Sequence, residues 1–525
     1  MKTKILLSAI GAAALALAIN ACQETNVKPT SSIASQEVTK PNKFIGATTL
    51  AACKTKKDVT YHLKNWELNW VKDTVYCLCG DVRVDSTKAL NIASGVLVRG
   101  IKEAAGSLTV LPGASINALG LSNDPIIFTS SQNVSARAPQ DWGGLIVLGH
   151  AQTNRDSRPA IEGFPVAGAV AGAEGAPKYG SVRTINTFNA ESSGTLQYVR
   201  IEFGGVPLPT VSNSEKNGLT LGGVGSGTII DHVQTSSGGD DGFEWFGGTV
   251  NAKFLISHKN IDDDFDTDFG FQGKVQYGIV SRDPARGDIS GSNGFESDND
   301  GTGSTNTPFT QAIFSNFTII GPMICSSTGV NTNFNDGVHI RRRSGIDIYN
   351  TLIVGWKRHQ LFADPANIVR TPQPDGAVLD YNRAVRYQPL VATAIINEPA
   401  AANNVWSYTG NHNTAVDAFT CDTNADSLRS VYRRSGLNPS AWTLTAVNVT
   451  PIATAGTYTS PILATGVNAN SINAFFDANT TTASGSTTYF IGARRQQGPD
   501  NGWNLSSGWV NWQPETQPYA NDGTY

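Results

Sequence analysis

Residues 238–283, GGDDGFEWFGGTVNAKFLISHKNIDDDFDTDFGFQGKVQYGIVSRD, state a phrase and then restate it. Asp240 to Glu244 reads Asp-Asp-Gly-Phe-Glu, Asp262 to Asp266 reads Asp-Asp-Asp-Phe-Asp, and each is followed by a short apolar run with strand character. Aligned on the aromatic, Phe243 becomes Phe265, then Phe295 in SNGFESDND, then Val338 in NDGVHIRRR, at intervals of 22, 30 and 43 residues. Such spacings suit stacked structural repeats whose longer members carry loop insertions. A second strand follows each: NAKFLISHKN, KVQYGIVSRD, AIFSNFTIIGP and IDIYNTLIVGW. Upstream, GTLQYVRIEFGG and GTIIDHVQTSSGG repeat the grammar, closed by glycine pairs that permit tight turns. A parallel β-helix satisfies this pattern, because each coil buries one row of apolar side chains and hydrogen-bonds to the coils on either side.

The rest of the composition agrees. The chain has 525 residues, 53 glycines, 16% charged residues and a formal charge of −4, which suits a large all-β globular protein and argues against a disordered or nucleic-acid-binding one. At the start, Lys2 and Lys4 precede an apolar run from Ile5 to Ile19 that reads as an export signal. Ile19-Asn20-Ala21-Cys22 resembles a lipobox, in which Cys22 becomes the acylated first residue; the alternative is ordinary secretion with cleavage after Ala18. Residues 22–50 then read as a polar tether, 51–360 as the β-helix, and 361–525 as an extension packed on it, ending in a Trp-rich segment that staples it to the body. Five cysteines remain, Cys53, Cys77, Cys79, Cys325 and Cys421. Cys77 and Cys79 would share one strand face, so Cys53 could bridge to either.

LTVLPGASINALGLSNDPIIFTSS at 108–131 resembles the entry coils of pectin-lyase-like right-handed β-helix proteins. DWGGLIVLGHAQTN, GTLQYVRIEFGG, NGLTLGGVGSGT, DDGFEWFGGTVNAKFL, NGFESDND and YFIGARRQQGPDNGWNLSSGWVNW are similar to a family of outer-membrane or surface lipoproteins of Bacteroidota and similar bacteria. The resemblance implies a fold and an outer-membrane location; from that location and fold, a glycan or an outer-membrane receptor is the expected partner. It implies no reaction, since β-helices host lyases, hydrolases, adhesins and spacers alike.

Stacked coils turn the carboxylates into columns. Glu244, Asp266, Glu296 and His339 share one register; Asp241, Asp263, Asn293 and Asp336 a second; Phe246, Asp268, Asp298 and Arg341 a third. With coils about 4.8 Å apart, unpaired carboxylates would repel one another. Calcium is the direct solution, because it accepts six to eight oxygens in loose geometry. The candidate ligands are Asp240, Asp241, Glu244, Asp262, Asp263, Asp266, Asp268, Glu296 and Asp298. The alternative is that these residues cap turns or accept from backbone amides and from Arg341, Arg342, Arg343, His258 and Lys259. Trp245, His339 and Arg341 are candidates for ligand contact. The enzymatic alternative is a calcium-dependent lyase acting on acidic polysaccharide, with Arg341, Arg343 or Lys259 as base. A hydrolase has less support: Gly239-Asp240-Asp241 resembles the carboxylate motif of polygalacturonase-type hydrolases, but their following His and Arg-x-Lys motifs are missing.

Overall fold

The computed structural model of the chain describes residues 39–208, 214–322 and 329–349, shorter pieces between 351 and 493, and 502–522. The expected signal, Cys22, Cys325, Cys421 and most of 361–479 lie outside these residues. No described helix is long and apolar enough to cross a membrane.

Two parallel sheets carry the body, one of 15 strands and one of 10. The smaller, called the site sheet below, stacks Leu219–Gly222, Phe243–Phe246, Phe265–Asp268, Phe295–Ser297 and Val338–Ile340 in that order. Phe243 pairs with Phe265, Phe265 with Phe295 and Phe295 with Val338, so the alignment read from the sequence is the register of the fold. These rings face inward, are fully buried, and stack at 5.3 and 5.1 Å between centroids. Aromatic pairs of this kind contribute about 0.5–1.5 kcal/mol beyond their buried area. Because side chains alternate along a strand, turning each phenylalanine inward turns its acidic neighbour outward.

The larger sheet bends. Its strands Gly194–Glu202, Ile229–Ser236, Asn251–His258, Lys274–Ser281 and Ile313–Ile320 each hold one non-glycine residue at positive φ: Tyr198, His232, Phe254, Tyr277 and Asn316. Pairing resumes on either side, so each strand serves two faces of its coil. A left-handed conformation is unfavourable for such side chains. Here their stacking offsets the cost: the Tyr198, His232, Phe254 and Tyr277 rings follow one another at 4.4, 4.3 and 4.9 Å. Gly278 must lack a side chain, since a Cβ there would lie 1.9 Å from the Phe317 ring.

Residues 502–522 form a strap along the outer face of this sheet. Trp503 and Trp509 are buried and pack edge-on against Phe254 and His232. Gln234 donates to the Asn511 carbonyl at 2.6 Å, Tyr519 donates to Glu202 at 2.7 Å, and Asn521 donates to the Lys40 carbonyl at 2.8 Å in the first coil.

Two boundaries read from the sequence move. Asn42–Ile45 is already a strand, paired with Val75–Leu78, so the stretch assigned to the tether ends before residue 50. Its Phe44 packs beside the buried Cys53–Cys79 disulfide, which gives these residues an apolar reason to order. Phe362–Ala363 and Ile395–Ile396 still pair with coil strands, so the β-helix continues past residue 360. Of the two open cysteine pairings, Cys79 takes Cys53, and Cys77 is buried on the same face.

Candidate functional site

The outward face of the site sheet carries the acidic columns. Glu244 pairs with Asp266, Asp266 with Glu296 and Glu296 with His339; Phe246 pairs with Asp268. The second column is a ladder of side-chain caps. Asn217 accepts from the backbone amide of Asp241 at 3.3 Å, Asp241 from that of Asp263 at 2.8 Å, Asp263 from that of Asn293, and Asn293 from that of Asp336 at 3.0 Å. Each residue thus satisfies the amide of its counterpart one coil on, and a bond to a charged acceptor of this sort contributes about 1.5–3 kcal/mol. One oxygen of Asp241 and one of Asp263 are used this way.

Asparagines at the two ends of this ladder have a second task that the aspartates between them cannot perform. Asn217 donates to Glu244, and Asn293 donates to Glu296 at 3.1 Å. Aspartate has no donor, so the middle coils lack this neutralising amide. Accordingly Asp266 Oδ1 and Asp262 Oδ1 are buried with no hydrogen-bond partner among the described residues. Three groups bring ligand atoms within 4.8 Å of one another: Asp240, Asp241 and Asp262; Asp241, Glu244 and Asp266; Asp263, Asp266 and Glu296. Consecutive groups share Asp241 and Asp266.

Burial, followed by mutual repulsion, pushes the carboxyls of Asp241, Glu244, Asp263 and Asp266 well above their ordinary range, and Asp240, Asp268 and Glu296 rise as well. Asp262 is raised to about 6 for the same first reason, with a Ser290 hydroxyl donating to it. At the far end the charges are matched. Arg341 bonds Glu296 and, at 3.0 Å, Asp298, while Arg342 meets Asp298 at 2.8 Å.

Residues 149–193 leave the stack between coils and lie along the early part of this face. Ile161, Phe164 and Tyr179 pack on the outward Ile146, Leu148 and Phe246. Glu162 sits at the surface but turns its carboxyl toward Glu244 and Asn217, where burial raises it to about 7. Sequence reading missed Glu162, Tyr179, Asn217 and Ser290. Only Asn217 carried a signal, lying one coil before Asp241 in the same register; the others come from excursions without strand pattern.

Several expected roles fail on position. Trp245 is fully buried in the aromatic core, centroid 5.3 Å from Phe271, because strand alternation puts it on the same side as Phe243. It cannot meet a ligand. His258 and Lys259 end a strand of the other sheet: His258 is bonded to Ser281 and to the Trp512 carbonyl, and the Lys259 ammonium lies 3.6 Å from Glu515 of the strap. Neither answers the acidic columns. Alternation along a strand would point Arg341 and Arg342 opposite ways, yet both reach Asp298, because the strand ends at Ile340 and the chain turns through positive φ at Arg342 and Arg343. Arg343 joins neither ion pair; its Nε and Nη1 are buried with no hydrogen-bond partner among the described residues. His339 faces Glu296 at 3.7 Å and packs on Phe362.

A coil-by-coil register with an outward polar face is what a family of β-helices shares, and the model for the pectate-lyase like beta helix domain matches residues 62–379. The chain belongs to this family. No curated protein and no solved structure matches it. Membership accounts for the architecture; the acidic columns must be read from their own chemistry.

Proposed function

We propose that the protein is exported, anchored in the outer membrane through an acylated Cys22, and serves in binding rather than catalysis, its site sheet holding calcium and through it an anionic extracellular glycan. The observation that carries the reading is the lost amide donor in the middle coils. There, Asp241, Asp263 and Asp266 converge without such a donor, beside a Glu244 that has only the one from Asn217, and oxygens not used by the amide ladder remain for a cation. Calcium tolerates such a set, because its coordination is loose and its ligands are hard oxygens. The lyase reading is second: Arg341 is held in its charged form by Glu296 and Asp298, which raise its pKa against the effect of burial, so it has no tendency to act as base.

The test is a calcium titration followed by thermal unfolding. Calcium at a hundredfold excess over Kd should stabilise the folded state by about 2.7 kcal/mol. Asp266→Asn should remove most of that gain while leaving the melting temperature in chelator unchanged or higher, because it relieves repulsion in the empty columns. Equal melting with calcium and with chelator would refute the cation. A calcium-dependent rise in unsaturated-uronate absorbance, lost in Arg341→Ala or Arg343→Ala, would favour the lyase instead.

A further inference from the structure

The first coil differs in charge from everything after it. Residues 40–74 hold seven lysines, Lys40, Lys43, Lys54, Lys56, Lys57, Lys64 and Lys72, against three acids, a net of +4 in a chain whose formal charge is −4. The strands Asn42–Ile45, Thr60–His62 and Asn69–Trp70 each stand at an outer end of their sheet, so the topology gathers these residues at one end of the stack. Of the three acids, Glu67 is spent inside the coil, accepting from the Tyr61 hydroxyl and the Lys64 amide at 2.8 Å each. Lys54 and Lys72 make exposed ion pairs with Glu103 and Asp124, whereas Lys56, Lys57 and Lys64 make none among the described residues.

The same coil carries Trp66, 80% exposed, and Val71, 54% exposed. A tryptophan standing out of a lysine-rich surface suits a membrane interface, where its ring sits at headgroup level while ammonium groups meet phosphates. Exposed strand edges are often guarded by lysine alone. Guarding does not call for an exposed indole, and that residue separates the two roles.

We propose that this end of the β-helix docks on an anionic lipid surface through Lys56, Lys57, Lys64 and Trp66. The proposal deepens the anchored reading above and rests on it for location, since Lys40 lies eighteen residues from Cys22, a span of at most about 65 Å. Acyl chains hold the tether at the membrane, and a basic patch adds an electrostatic attraction that brings this end of the folded body to the lipid surface. Lipid phosphates, rather than a protein partner, match a face whose free groups are point-charge ammoniums without arginine.

The experiment uses the mature chain from Gln23 onward, which lacks the acylated residue, with vesicles of phosphatidylglycerol and phosphatidylethanolamine and with vesicles of phosphatidylcholine. Binding should favour the anionic vesicles and weaken with salt. Each lysine near such a surface contributes about fivefold, so Lys56→Gln, Lys57→Gln and Lys64→Gln together should weaken binding on the order of 100-fold without changing the melting temperature. Quenching of tryptophan fluorescence by a lipid-borne quencher should fall in Trp66→Ala. Equal binding to both vesicle types, or an unchanged affinity in the triple variant, overturns the proposal. So does a triple variant that self-associates while its vesicle affinity is intact, since its lysines would then only guard the strand edges. Fatty-acid labelling of the wild-type chain reads Cys22 separately, so failure of the anchor and failure of the docking face give different results.

Discussion

In chelator the protein should melt at a higher temperature near pH 5 than near pH 7.5, the reverse of what ordinary paired carboxylates produce. Burial raises the Asp262 carboxyl to about 6, and Asp240, Asp241, Glu244, Asp263, Asp266, Asp268 and Glu296 are pushed well above the ordinary carboxylate range, burial being the first cause in each. The folded chain therefore keeps protons that the unfolded chain releases. Stability from a raised carboxyl is complete below its ordinary value and is lost as pH climbs through the folded one. For Asp262 alone the part of that loss falling above pH 5 is about 1.4 kcal/mol, at about 1.4 kcal/mol per unit, and the remaining carboxyls add with the same sign. His62, raised between Asp85 and Glu174, also works in this direction.

His258 works against it. Held neutral by burial, with Lys259 beside it and the Trp512 carbonyl as its partner, it disfavours the folded state increasingly as pH falls below the ordinary imidazole value. His150, lowered by burial with Arg158 nearby, opposes in the same way, so carrying the comparison in a background of His258→Gln and His150→Gln removes both opposing imidazoles. The carboxyls with lowered values, Asp85, Glu103, Asp300 and Asp522, change only at and below the ordinary carboxylate range and leave this window alone. Calcium should replace the lost protons, so its stabilising effect should be large near pH 7.5 and small near pH 5. A melting temperature in chelator that rises steadily from pH 5 to 7.5, or a calcium effect equal at both, would mean that these carboxyls are not crowded as described.

The columns were legible in the sequence because one residue type repeats at each register position. Phe243, Phe265 and Phe295 fix the inward row, and alternation then fixes Glu244, Asp266 and Glu296 outward without knowledge of the loops between them. That same alternation should have removed Trp245 from the ligand candidates, since it lies two residues from Phe243. The strand ends were not legible: Arg341 to Arg343 look like a continuing strand, and only the positive φ at Arg342 and Arg343 brings Arg342 onto Asp298 beside Arg341. Nor could Glu162 or Tyr179 be found, and the closing tryptophans announced a staple without saying which sheet it would lie on, because these contacts join residues tens to hundreds of positions apart with no shared period. The left-handed aromatic corner is hidden for another reason. Tyr198, Phe254 and Tyr277 sit in runs that read as straight strands, and their conformation follows from stacking on one another and on His232 beneath the strap.

The strap's own attachment yields the second large effect, in Asp522→Asn. Asp522 is 94% buried and meets Arg99 and Arg137, both fully buried, at 2.7 Å each, while accepting from the Tyr519 amide at 2.7 Å. Losing its charge leaves two guanidiniums without their shared counter-ion, and removing one partner of such a buried group costs about 3–5 kcal/mol. Glu515→Gln offers the contrast: Glu515 lies 3.6 Å from Lys259, both side chains are partly exposed, and the change should cost no more than about 1 kcal/mol. Asp522→Asn should also speed proteolytic cleavage within residues 502–522, because the end that reaches the first coil is released while the Trp503 and Trp509 stack still holds the other. Against burial, the Tyr519 amide first and then the two arginines keep the Asp522 carboxyl below its ordinary value, so its contribution is full above about pH 4 and is lost as pH falls through the lower, folded value. Wild-type strap release should therefore begin only in strong acid, and the variant should show no such step. If Asp522→Asn and Glu515→Gln melt alike, the strap is held by its tryptophans, and the buried charge at its end contributes little.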